Sequence, residues 1–372
     1  MQHIRTSKAP VLPDERLKSV SPLRRLMRRP ELGAMAGLIL VGVFFLMTAS
    51  SSMFSVAGIV NFMTPASQLG ILAIGAALLM IGGEFDLSIG SMIAFAGLTL
   101  GTCLVVFHLP LSLSIVIAFL VAMLFGAINA QLVLLTGLPS FIVTLSFLFI
   151  LRGLTLVGLK WATGGLTQLR NVTEAAGSSW LLGLFSGNAF TGLFSWLAQH
   201  DIIATFPNGD PSVKGIPVSV LWFIGLTLVA TVVLVRTTFG NWIFAVGGDA
   251  AAARNSGVPV ARVKLILFMT TACCATLVAV LTVLDAGSTD ATRGFQKEFE
   301  AIIAAVIGGC LLTGGYGSVA GAFFGSIIFG MVVIGLSYTG IDQDWYQVFL
   351  GGMLLVAVLF NNVVRKRATG ER

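Results

Sequence analysis

The chain has 372 residues, of which 56% are apolar and only 10% are charged, against about 25% charged in a typical soluble domain. That is too little charge to dress the surface of a water-soluble protein of this size, which excludes a soluble enzyme or binding module. The net charge of +6 is no nucleic-acid signal, because most basic residues lie in the segments 1–33, 236–264 and 363–372, at the borders of apolar runs.

The basic residues of the first of these run from Arg5 to Arg29, in a basic N-terminal segment, 1–32. Ten apolar stretches follow, each judged against the roughly 20 residues a helix needs to cross a bilayer. The first is 33–53. A polar break with Asn61, Thr64 and Pro65 separates it from 66–82. Gly82-Gly83-Glu84-Phe85-Asp86-Leu87-Ser88 interrupts the pattern before 87–107. Pro110 opens a run to Thr136-Gly137, and Pro139 opens one that ends near Lys160. Residues 161–216 read as a long loop that holds an interfacial helix. Further runs cover 217–235, 264–285, 301–313, 318–339 and 346–362, before a basic tail, 363–372. The expected fold is therefore an all-α, polytopic membrane domain, 33–362. Segment 301–313 is too short to span alone, and 66–107 has room for a re-entrant piece.

Ten is an even number of crossings, so both termini fall on one side. Basic residues collect on the cytoplasmic side of spans. This places the termini and 236–263 in the cytoplasm and 161–216, with only Arg170 and Lys214 as clear basic residues, outside.

Cys103, Cys273, Cys274 and Cys310 sit inside apolar runs without metal-ligand spacing and read as small apolar side chains. No metal site is expected. Gly315-Tyr316-Gly317-Ser318-Val319-Ala320-Gly321 has the look of a phosphate loop but lacks the lysine and joins two apolar runs. Gly321 and Gly325, four apart, offer instead a small-residue face for close helix crossing.

The loop 236–263 carries the most local information. Asp249 fits a helix N-cap, four alanines follow, Arg254 suits the C-terminal dipole, and Gly257 with Pro259 closes the turn. A short, fully capped, alanine-rich helix outside the membrane has the form of an element that docks in a groove on a partner. Among residues nearest the hydrocarbon, Asp86 reads as a cap for a helix starting at Leu87. Glu84 is a carboxylate able to accept hydroxyl donors or to face water, and Arg152 either snorkels or pairs with an acid. Asn61, Gln68, Glu84, Asn129 and Phe141 are candidates for the substrate path. Polar groups such as Asn61, Gln68 and Asn129 equally suit interhelical hydrogen bonds.

Gly247-Gly248-Asp249 through Arg254-Asn255-Ser256-Gly257 resembles the coupling segment of the permease subunits of ribose-type sugar ABC importers, within the wider monosaccharide and branched-chain-amino-acid permease superfamily. Gly83-Glu84-Phe85-Asp86-Leu87-Ser88-Ile89-Gly90-Ser91 is similar to that family's G-G-I-D-L-S-V-G-S. Residues 300–309 with Gly314-Gly315-Tyr316-Gly317 are similar to its A-I-A-A-V-x-x-G-G-x-x-x-x-G-G-x-G. Pro139 to Leu145 with Arg152-Gly153 matches as well, and the likeness runs from about residue 58 to 362. Glu84 in place of Gly, Asp249 in place of Asn and the long 161–216 loop are departures from the pattern.

The resemblance implies a permease of the bacterial inner membrane that performs no covalent chemistry and binds no cofactor, embedded in lipid. Gly247, Gly248, Asp249, Ala252, Ala253, Arg254 and Gly257 would couple to a separate ATPase subunit that holds ATP and Mg. Asp86, Ser88, Gly90, Gly308, Gly309, Gly314, Gly315, Gly317, Gly321 and Gly325 would be the structural motif. A second permease copy and a periplasmic sugar-binding protein would complete the assembly that imports a monosaccharide or polyol. The competing expectation is an ion-gradient-driven carrier or a channel, to which Glu84 and Asp86 beside a Gly-Gly break would supply ion sites.

Overall fold

The computed structural model describes residues 30–369. The basic residues before Pro30 and the last three of the tail lie outside the described residues. Among the described residues there are fourteen α-helices and four two-residue strands.

Eight helices among the described residues are long and apolar enough to cross a membrane: α1 (Pro30–Thr48), α2 (Val56–Ile81), α3 (Ile89–Gly101, continued by a π turn to Val106), α4 (Leu111–Thr136), α5 (Ser140–Thr163), α8 (Val218–Arg236), α11 (Val260–Ala286) and α13 (Val319–Thr339). α2 is the central post. It packs against α13, α11 and α8, while α11 also holds α3 and α4, and α13 holds α1. The core accordingly runs along α2, α3, α11 and α13, whose residues are mostly buried, while α1, α4, α5 and α8 expose broad apolar faces.

Two expectations change. The polar stretch before residue 66 is not a break, because α2 starts at Val56, capped by Ser55 Oγ on Gly58 N at 3.1 Å, and passes straight through Pro65. Hydroxyls around the proline turn back onto the helix: Thr64 Oγ1 donates to Val60 O (2.9 Å) and Ser67 Oγ to Thr64 O (2.7 Å). The second change concerns the last third of the chain. The ten expected spans become eight long helices, a broken crossing and a final helix, α14 (Tyr346–Thr369), whose apolar part is Tyr346–Val356. The broken crossing contains α12 (Lys297–Ile307), flanked by non-helical backbone on both sides.

Residues 164–217 and 237–259 lie at opposite ends of α8. The first group carries α6 (Val172–Ala176) and the amphipathic α7 (Thr191–Gln199). It also holds β1 (Gln168–Leu169), which pairs antiparallel with β4 (Thr289–Asp290), and β2 (Asn188–Ala189), which pairs with β3 (Ile216–Pro217). The second group is helical almost throughout, with α9 (Thr238–Gly248) running into α10 (Ala250–Asn255). Residues 239–248, expected as loop, form α9 because Thr237 Oγ1 caps Gly240 N at 3.2 Å.

Candidate functional site: the coupling helix and the broken crossing

Both ends of α10 are capped. Asp249 Oδ1 accepts from Ala251 N (2.9 Å) and Ala252 N (3.0 Å), satisfying the first free amides of the helix. At the other end Gly257 takes φ +84°, and two bonds close the turn: Val258 N to Ala253 O and Gly257 N to Arg254 O, both 3.0 Å. This is the Schellman arrangement, which favours glycine at that position. Ala251, Ala252, Arg254 and Asn255 are exposed. Ala253, expected on the docking face, is buried. A six-residue helix must anchor one side on its own chain, and the 3.6-residue period turns Ala253 to that side.

Three Gly-Gly pairs meet at the root of α10. Gly83 and Gly314 lie against Gly247, Gly315 lies against Gly248, and Gly315 N donates to Ile81 O at 2.9 Å. A β-carbon at Gly247 would collide with the Ile81 carbonyl. The end of α2, the end of α9 and the loop after α12 therefore touch backbone to backbone, directly before the capped helix.

From that junction the broken crossing climbs into the bundle. α12 and α13 cross in close contact, with Gly308 against Gly321 and Gly325 against the Ala304 carbonyl. The first turn of α12 is level with the middle of the neighbouring helices. Lys297 Nζ stands 6.0 Å from the ring of Phe329, at the midpoint of α13. Arg152, at the midpoint of α5, donates to Ala291 O (3.4 Å), Arg293 O (3.4 Å) and Gly294 O (3.3 Å). Arg152 thus caps the carbonyls of a chain that has no helix there. Gly90 of α3 leaves room for the buried Glu298 carboxylate and the Gly294 carbonyl.

Below this level Asp86 ties three helices together. Its carboxylate accepts from Ser88 N (2.8 Å), Ser88 Oγ (2.5 Å) and Thr271 Oγ1 (2.6 Å), while Asn129 Nδ2 donates to Ser88 Oγ at 3.1 Å. Asp86 precedes α3, which starts at Ile89 rather than Leu87. Glu84 is buried and ion-paired with Lys264 of α11.

The five residues expected to line one path are not brought together. Asn61 donates to Tyr338 OH at 3.2 Å near the start of α2. Gln68 lines a small polar cavity with Thr64, Ser219 and Asp285. Glu84 is taken up by its ion pair, Asn129 donates to Ser88 Oγ while its buried Oδ1 has no partner among the described residues, and Phe141 is exposed at the far end of α5 from the strands. They spread along the length of the bundle, and Asn61, Glu84 and Asn129 are each held by a pairing or a hydrogen bond to another element. Sequence reasoning missed the charged run Arg293, Lys297, Glu298 and Glu300, which it left in a connection between spans. The available signal was its charge density beside Arg152, which had no named acid partner.

Comparison with known proteins agrees with this architecture. Residues 58–358 match the family model described as branched-chain amino acid transport system, permease component. The chain is 30% identical over 362 residues to the xylose transport system permease protein of Escherichia coli K12, covering 90% of this chain and 92% of that protein. It is 29% identical over 325 residues to the ribose import permease protein of the same organism, covering 87% and 91%. It is 31% identical over 310 residues to the ribose import permease protein of Haemophilus influenzae, covering 83% and 86%. No solved structure matches the chain. A multi-pass membrane protein with these matches is a transport permease, and the chain belongs to the family of branched-chain amino acid transport system permease components.

Proposed function

We propose that this chain is the membrane-spanning subunit of an ATP-driven importer for a monosaccharide, a pentose or hexose or a related polyol, in a bacterial inner membrane. The observation that carries this reading is α10. It is a helix too short to be stable alone, capped at both ends, with Ala251, Ala252 and Arg254 exposed and its root on the Gly-Gly junction. Such a helix suits a cleft on a separate ATPase subunit, which would hold ATP and Mg. Motion of α10 would pass through Gly247-Gly248 to Gly314-Gly315 and so to α12, because backbone contacts leave no side chain to absorb it. Gly257 supplies the turn, and Asp249 the start, that keep α10 rigid enough to transmit a push. Alternating access of this kind needs two states biased by a partner.

The sugar class rests on the xylose and ribose permeases among the relatives. A binding protein would deliver substrate at the 164–217 end, and a second copy of the chain would complete the pathway within the lipid. The α10 end, with Arg236, Arg254, Arg262 and Lys264, would be cytoplasmic together with both termini, following the positive-inside rule. The ion-driven carrier is disfavoured by its own candidate sites. Glu84 is neutralised by Lys264, and Asp86 is held by Ser88 and Thr271.

Ala252→Arg tests the docking role. It adds bulk and charge on the exposed face of α10, away from every span. The expected outcome is a permease that elutes normally from a sizing column in detergent and no longer co-purifies with its ATPase. Undiminished co-purification would defeat the docking role.

A further inference from the structure

The broken crossing has two faces. One is buried, with Glu298 and Glu300 turned into the bundle. On the other, Phe295 (64% exposed), Gln296 and Phe299 (49% exposed) stand clear of the fold. The Lys297 side chain, although paired with Glu300, is 41% exposed. This turn of chain is level with the midpoints of α5 and α13, so the exposed face lies halfway across the bilayer.

Hydrocarbon is a poor neighbour for such a face. A charged group at the bilayer centre costs about 3 kcal/mol on insertion scales, and non-helical backbone at that depth persists only where protein or water covers it. The outer side of α4 shows the contrast, with Val116, Leu120 and Leu124 exposed and apolar. Phe295 is also held in place: the Arg152 guanidinium sits 5.3 Å from its ring centroid, which leaves the ring's other side free. Arg152 itself is fixed by three carbonyls. Within the buried half, Glu298 Oε2 has no hydrogen-bond partner among the described residues. The segment is thus a rigid aromatic shelf with polar groups on either side of it.

We propose that Phe295, Gln296 and Phe299, braced by Arg152, form the mid-membrane constriction through which the substrate passes, with the aromatic rings meeting the C–H face of a sugar ring and Gln296 its hydroxyls. The ligand class rests on the importer reading; the hydration of the face does not. The shelf lies on the crossing that ends at the Gly-Gly junction, so α10 and the constriction share one element.

The test uses Phe295→Cys and Phe299→Cys in the full chain, assembled with its ATPase in proteoliposomes. The wild-type chain, whose four cysteines are buried or half-buried, gives the background, and Leu124→Cys gives the lipid-facing reference. A charged, membrane-impermeant methanethiosulfonate reagent is expected to label both shelf cysteines at least about tenfold faster than Leu124→Cys, since thiolate chemistry needs water. Xylose or ribose is expected to slow the labelling. Shelf cysteines as unreactive as Leu124→Cys would overturn the constriction. So would fast labelling that neither a pentose nor leucine slows. Protection by leucine alone would keep the constriction and overturn the sugar reading.

Discussion

The α12–α13 crossing gives the sharpest prediction about stability. A β-carbon built at Gly325 falls on the Ala304 carbonyl, with its carbon and the Gly308 amide nitrogen each at 3.1 Å. All of these atoms are backbone, so no rotamer change can make room. Gly325→Leu must therefore move the two helices apart, and the Gly308–Gly321 contact one turn away opens with them. Overpacking of a tight interior costs about 1–3 kcal/mol, and the upper end applies here because the clash is with backbone on two sides. Gly225 of α8 is the control: nothing lies within 4 Å of a β-carbon there, and replacing an exposed helix glycine gains up to about 1 kcal/mol. Heating detergent-solubilised protein and following its monodisperse peak on a sizing column should rank Gly225→Leu at or above wild type and Gly325→Leu well below it. Equal heat resistance of the two variants would refute the close crossing.

Two further outcomes follow from the polar ties. Asp86→Ala strands the Ser88 amide and hydroxyl inside the bundle and should cost about 3 kcal/mol, whereas Asp86→Asn keeps one acceptor and should cost about half as much; the same heating assay reads both, and an Asp86→Ala protein as robust as wild type contradicts the tie. Lys264→Ala leaves Glu84 as a buried, unpaired charge and should cost about 2–4 kcal/mol. Removing both partners should then be less damaging than removing Lys264 alone, and a double loss equal to the sum of the two single losses would show that the pair is not coupled.

The spans that obey simple rules were legible from the sequence. α4 and α5 are continuous apolar runs opened by Pro110 and Pro139 and closed by Gly137 and Gly164. Each therefore carries its start and stop in its own residues. The caps of α10 were legible for the same reason, since Asp249 and Gly257 act on atoms within a few residues of themselves. Pro65 misled because a proline inside a membrane helix is tolerated where the neighbouring helices support it, and that support belongs to the folded bundle, in which the helix runs on through Pro65. The broken crossing was legible in part, since 301–313 is too short to span alone, but the place of the charged run before it was not. A charged run reads as a solvated connection unless the fold provides partners, and those of this run are distant in sequence: Arg152 for the carbonyls of 291–294, Gly90 for Glu298. The three Gly-Gly pairs were each visible. Their meeting was not, because close backbone approach is a property of pairs of segments.

ATP dependence of transport decides the central claim. The chain, its ATPase and its binding protein are reconstituted in proteoliposomes, and uptake of radiolabelled xylose and ribose is followed with ATP on the α10 side. Uptake should require ATP, the ATPase and the binding protein together, and Ala252→Arg should abolish it. Sugar uptake by the chain alone, driven by a proton or sodium gradient without ATP, would contradict the importer reading and favour an ion-driven carrier.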